Sequence, residues 1–228
     1  MMKINVKGTI IPNDDQWIYD LFDIDATSPA KVSKGITAAA EKGELLEVDI
    51  NSGGGDIFAA SEIYSAIREY SGDVKIHVVG LAASAASVIA CAGKSDISPT
   101  AQIMVHNVSS ATRGDYHDMD KMSEILQKAN ETIANAYITK SGMAKEKALE
   151  IMDKETWLTA DEAVGLGLID EIAGNKNAKS QLVAAYCDII PQNVIERMKA
   201  ERADKKITAR ARLDKLKEGY KNDKTGNA

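Results

Sequence analysis

Hydrophobic and polar positions alternate with two different periods along this chain. Residues 3–11 step polar–apolar as a half-buried strand does, and Pro12-Asn13-Asp14-Asp15 break the run. Leu46-Glu47-Val48-Asp49-Ile50, residues 74–79 and Gln102-Ile103-Met104-Val105-His106 read as three further strands. Between them the spacing becomes helical. Ser28-Pro29 opens a helix over 30–42 that stops at Gly43, and Ile57, Phe58, Ile63, Tyr64 and Ile67 mark another over 57–70. Residues 16–27 are acidic and interspersed with Trp17, Tyr19 and Phe22, and fit neither period.

The pivot of the chain is residues 78–93. A β-branched run ends at Gly80, small residues lead to Ser84, and an Ala-rich helix follows. Ser84 then stands among unpaired N–H groups at a helix start, where an oxyanion is stabilised and where serine also serves as a plain N-cap. Ser87, one turn on, is expected to point into packing. Residues 94–100 read as a loop and 108–116 as a polar, extended stretch. A long amphipathic helix is expected over 118–141, with Met122, Ile125, Leu126, Ala129, Ile133, Ala136 and Tyr137 on one stripe before Gly142. A helix over 144–152, a capping box at Thr159-Ala160-Asp161-Glu162 and a turn through Gly165 into a last short strand complete the body. Strands alternating with helices give an α/β fold with a parallel-rich sheet.

Charge divides the chain. Of its 228 residues, those after Pro191 carry 11 Lys/Arg against six Asp/Glu, so this tail is +5 while the first 190 residues are −11. The acidic body argues against nucleic acid as a partner. The expected domains are a body over 1–175 and a charged extension over 176–228. Two cysteines outside any metal spacing, no membrane-length apolar run and no signal peptide point to a reducing cytoplasm and no membrane partner.

The chemistry-bearing residues gather at strand ends. His106 closes an apolar strand, whereas His77 sits inside one and His117 lies in a polar stretch. Ser84 also follows a strand end, so a nucleophile–base pair could form at one sheet edge. A carboxylate would have to orient the imidazole. Asp153 and Glu155 are candidates, and spacing alone does not choose them over Asp49, Asp56 or Asp96. The glycines at 53–55 lack a phosphate-loop pattern and read either as a flexible strand-to-helix turn or as a close backbone approach to a substrate.

Ile50-Asn51-Ser52-Gly53-Gly54-Gly55, Gly80-Leu81-Ala82-Ala83-Ser84-Ala85-Ala86, Met104-Val105-His106 and Trp157-Leu158-Thr159-Ala160-Asp161-Glu162-Ala163 occur in that order. With Gly167-Leu168-Ile169-Asp170 they resemble the proteolytic subunits of caseinolytic (Clp) proteases over roughly residues 3–173. The Glu-Thr-Trp-Leu-Thr-Ala and Ala-Ala-Ser-Ala-Ala-Ser stretches are most similar to the Clp-like head maturation proteases of tailed phages. The resemblance implies a Clp/crotonase-like fold with a protruding handle helix over 118–141 and a homo-oligomeric ring. It implies serine endopeptidase activity on polypeptides such as capsid or scaffold proteins, with no cofactor and no metal. Residue by residue it makes Ser84 the nucleophile, His106 the base, and Gly54 and Ala85 the oxyanion-hole donors. The third triad position falls on Glu155 where the family has Asp, with Asp153 as rival, and Gly53 replaces the usual proline. The substrate is expected to lie extended along 53–57 and 107–115. Two other readings stand beside this one: a crotonase-type acyl-CoA hydratase or isomerase, and a ring-forming structural protein without activity.

Overall fold

The computed structural model describes residues 1–174, and the expectations for the tail fall outside them. Its centre is a twisted sheet on which every strand but one pairs in parallel. β1 (Met2–Ile10), β2 (Ala26–Thr27), β3 (Leu46–Gly55), β4 (Val74–Ala83), β5 (Lys94–Ile97) and β8 (Glu171–Ile172) lie in the order β2-β1-β3-β4-β5-β8. β6 (Gln102–Val105) pairs with the far end of β4, and β7 (Thr156–Leu158) runs antiparallel to β6.

The period-2 alternation sets which face is covered. Ile4 and Val6 on β1, Leu46, Val48 and Ile50 on β3, and Ile76 and Val78 on β4 are all buried. They lie in one core with residues of α2 (Pro29–Lys42), α3 (Ile57–Glu69) and α4 (Ala85–Ala90). The opposite face carries the polar set. Lys3 pairs with Asp49 at 2.8 Å, and His77 Nδ1 and Lys75 Nζ both reach Asp96, at 2.7 and 3.1 Å. His77 is therefore a sheet residue, as its place within a strand implies.

Tertiary pairing revises several boundaries. β3 continues through the glycines to Gly55, and β4 runs on to Ala83. The first half of β4 pairs with β5 and the second with β6, so one strand serves two neighbours. Residues 94–97, expected as a loop, form β5. Lys94, Ser95 and Asp96 are polar, yet Ser95 and Asp96 are buried because Ser95 N–H donates to the Asp170 carboxylate and Asp96 holds His77. Residues 16–27 resolve into α1 (Gln16–Leu21) and β2.

The long helix, α5 (Tyr116–Ser141), starts at a capping box made by Asp115 and Asp118 and ends at left-handed Gly142. Its apolar stripe changes character along its length. Ile133, Ala134, Ala136 and Tyr137 are buried, whereas Tyr116, Met119 and Ile125 are exposed. α6 (Lys145–Asp153) leads into β7, and α7 (Ala160–Gly165) has the capping box formed by Thr159 and Glu162. Among the described residues no helix is long and apolar enough to cross a membrane.

Candidate active site

Two adjacent parallel strands, β4 and β6, deliver Ser84 and His106 to the same edge of the sheet. Their register runs Leu81↔Gln102, Ala82↔Ile103 and Ala83↔Met104, so the next residues emerge together. His106 Nε2 lies 2.7 Å from Ser84 Oγ. The Ser84 hydroxyl makes no capping bond on α4, and the plain N-cap use is thereby excluded in favour of the contact with His106.

Ser84 adopts φ 54° and ψ −124°, a conformation that L residues seldom take and that costs on the order of 1–3 kcal/mol. Such a turn lifts the hydroxyl off the end of the sheet. Ser84 N–H is tied to Met104 O at 2.8 Å, which locks the turn to β6. Gly54 makes the approach of β3 possible: a Cβ there would stand 2.7 Å from Ala83 O and 2.8 Å from Ser84 Cβ.

The glycine loop differs from expectation at one atom. Gly54 N–H donates to Ser52 Oγ at 3.1 Å, and the Ser52 hydroxyl donates to Gly8 O at 2.6 Å. The expected oxyanion donor is thus already engaged on the β1 side. Asp56 N–H donates to Ile10 O at 2.9 Å, with Ile10 and Gly55 in register. In a parallel ladder that arrangement leaves the N–H of Gly55 facing away from β1. Gly53 and Gly55 line the cleft in front of Ser84, together with Ala85.

That cleft encloses about 280 Å³. Its apolar wall comes from Ile57, Val88, Met104, Ile133 and Tyr137, and its polar wall from His106, Asn107 and Ser109. Residues 107–115 belong to no helix or strand.

The two carboxylates proposed for the third position part company. Asp153 Oδ1 accepts a 2.7 Å hydrogen bond from Asn107 Nδ2, so it holds the residue after the histidine. Glu155 is exposed, has φ 47°, and makes no hydrogen bond to His106. β6 and β7 nevertheless pair Met104↔Trp157 and Val105↔Thr156, and that register carried one residue further sets Glu155 opposite His106. Asp49 and Asp96 belong to the polar face of the sheet, and Asp56 caps α3 through Ala59 N–H.

Other groups in the neighbourhood are chemically quiet. Burial pushes the Cys91 thiol up to about 12, which leaves it protonated and a poor nucleophile. Among the described residues no group of three or more His, Cys, Asp or Glu side chains could hold a metal ion.

A family model described as Clp protease matches residues 22–176, more than half of the chain. The chain belongs to the Clp protease family. A relative from Bacteroides fragilis, an ATP-dependent Clp protease proteolytic subunit, is 31% identical over 137 residues, covering 59% of this chain and 66% of its own. One from Chlamydia abortus, proteolytic subunit 1, is 33% identical over 135 residues, covering 57% and 70%. The chain thus spans just under two thirds of the length of the Bacteroides relative. A solved ClpP1 mutant from Listeria monocytogenes superimposes with a TM-score of 0.64 at 21% identity, covering 77% of this chain and 93% of that one. The fold is accordingly the Clp/crotonase-like one.

Sequence reading gave no individual role to Ser52, two residues before Gly54, or to Asn107, next to His106, whereas Ser87 is buried, as expected of a residue that points into packing.

Proposed function

We propose that this protein is a serine endopeptidase, with Ser84 as nucleophile and His106 as general base. The observation that carries the reading is the 2.7 Å contact between His106 Nε2 and Ser84 Oγ at a strained turn facing a cleft. Attack of Ser84 Oγ on the scissile carbonyl transfers its proton to His106 Nε2, and the imidazolium then protonates the leaving amine. Water, activated by the same nitrogen, hydrolyses the acyl-enzyme. The tetrahedral oxyanion is received by Ala85 N–H and, in place of Gly54, by Gly55 N–H, whose orientation away from β1 and place in the cleft wall support the exchange. Glu155 orients the imidazole from across the β6–β7 register, while Asp153 acts on Asn107.

The substrate is an extended polypeptide passing between 53–57 and 107–115, held chiefly through its backbone. Capsid or scaffold proteins of a tailed phage are the proposed targets, a reading supported by the Glu-Thr-Trp-Leu-Thr-Ala and Ala-Ala-Ser-Ala-Ala-Ser stretches. The exposed apolar half of α5 supports assembly into a homo-oligomeric ring, working in the cytoplasm.

A fluorophosphonate probe tests the activity. Stoichiometric labelling of the wild type that disappears in Ser84→Ala, with the fold retained, is the expected result. An assembled, folded wild type that takes no label would leave the inactive structural reading, and hydration of an enoyl-CoA would replace the peptidase reading outright. Mass spectrometry of products after co-expression with phage head proteins tests the substrate class.

A further inference from the structure

The hydroxyl of Ser84 is not the only part of that residue under restraint. Its carbonyl oxygen accepts the Ser87 backbone N–H at 2.9 Å and the Ser87 hydroxyl at 2.6 Å. Ser87 Oγ lies in turn 2.7 Å from the hydroxyl of Tyr137, on α5. Ser87 and Tyr137 are each 1% exposed, so water does not compete for these bonds.

Proton counting gives the chain a direction. A carbonyl can only accept, so the single O–H of Ser87 points to Ser84 O. The Tyr137 hydroxyl must then be the donor to Ser87 Oγ. Burial raises the Tyr137 phenol above its ordinary value, which keeps that donor protonated.

The peptide that joins Ser84 to Ala85 is trans and planar, so its C=O and N–H point in opposite directions. Fixing the oxygen therefore aims the Ala85 N–H. Because Ser84 occupies a strained conformation, that plane stays put only where the surroundings over-determine it. Ser84 N–H to Met104 O holds one side of the residue, and the Ser87–Tyr137 pair holds the other.

We infer that Ser87 and Tyr137 are positioning residues: a buried O–H···O–H···O=C chain from α5 to the Ser84–Ala85 peptide aims the Ala85 N–H at the developing oxyanion. The inference rests on the serine-peptidase reading above. Its role lies in the transition state, so it acts on turnover and leaves substrate affinity alone.

Tyr137→Phe is the cleanest probe, since it removes one oxygen and keeps the ring that lines the cleft. Ser87→Ala and the double variant complete a cycle. The measurements are kcat and KM on a fluorogenic peptide, the fluorophosphonate labelling rate of Ser84, and the melting temperature. Each single variant should lower kcat and labelling roughly 10-fold with KM within about 2-fold, a smaller loss than the 10²–10³-fold of deleting an oxyanion donor outright. The double variant should be no slower than Ser87→Ala, because Tyr137 acts through Ser87. It should also melt higher than Ser87→Ala, which strands the phenol without an acceptor. Unchanged kcat in Tyr137→Phe, a rise in KM alone, or multiplicative losses in the double variant would overturn the relay, and Tyr137→Phe decides by itself if Ser87→Ala does not fold. Wild type that fails to label removes the peptidase reading, and the relay's catalytic role with it.

Discussion

Replacing Gly54 by alanine tests whether the whole site hangs on one close approach. The residue has φ +96°, and an added Cβ would meet Ala83 O at 2.7 Å, Ser84 Cβ at 2.8 Å and Ala85 N at 3.0 Å. None of these obstacles is the end of a flexible side chain, so β3 and the turn at Ser84 must separate by several tenths of an ångström. The left-handed backbone costs an L residue about 1–2 kcal/mol. Overpacking adds about 1–3 kcal/mol, for a total of about 2–5 kcal/mol. In a domain of this size that lowers the melting temperature by roughly 4–20 °C. The shift falls on the reacting atoms themselves, where ~1 Å of misplacement can cost about 10²-fold in rate. Thermal melting and the rate of fluorophosphonate labelling measure both effects. Gly53→Ala is the stability comparison: an added Cβ there meets nothing within 4 Å, so its melting temperature should hold within the effect of about 0.5 kcal/mol. Labelling of Gly54→Ala within about 3-fold of wild type, with an unshifted melt, would refute the argument that this contact sets the site.

The carboxylates separate by kinetics: Glu155→Gln should cut turnover by as much as ~10⁴-fold if it fixes the imidazole, and Asp153→Asn far less, with steady-state rates deciding the order. Charge placed at Ile125, which is 49% exposed, should shift the assembly to smaller species in sedimentation, whereas charge at Ile133, 8% exposed, should unfold the protein. The Lys140–Asp170 pair sets an acid dependence. Burial opposes ionisation of Asp170, but hydrogen bonds from Lys140 and Ser95 N–H outweigh it and leave the carboxyl below its ordinary value. A depressed carboxyl contributes stability above its unfolded value of 3.8, and that contribution is lost as pH falls through the folded value. Asp170→Asn should therefore cost about 1–2 kcal/mol at pH 7 after screening at its exposed carboxylate, and the gap to wild type in urea melts should close in acid.

Local chemistry made much of this molecule legible in advance. Period-2 runs at Ile4–Val6, Val48–Ile50 and Ile76–Val78 expose their buried face without any knowledge of the fold, because successive side chains of a strand must alternate. Gly43 and Gly142 end their helices in the left-handed conformation that glycine alone adopts freely, and the Thr159–Glu162 box starts α7 through bonds three residues apart. Strand ends also nominated Ser84 and His106, since a parallel sheet collects such residues at one edge.

What depended on distant partners was invisible. β5 is a strand because Asp96 finds His77 and Ser95 finds Asp170, 75 residues away, and polar residues without those partners read as a loop. Sequence does not say which way the N–H of Gly54 turns, and only the docked strands show it donating to Ser52 Oγ beside β1. Spacing alone does not separate Glu155 from Asp153, yet the β6–β7 register carried one residue past its last pair sets Glu155 opposite His106, while Asp153 accepts from Asn107. Ser87 reads as packing and is buried, but its hydrogen-bond partner, Tyr137, lies 50 residues downstream on another helix and is not visible from spacing. A residue's type and spacing fix what it can do locally, while the direction of a hydrogen bond and the identity of its partner exist only once the elements have docked.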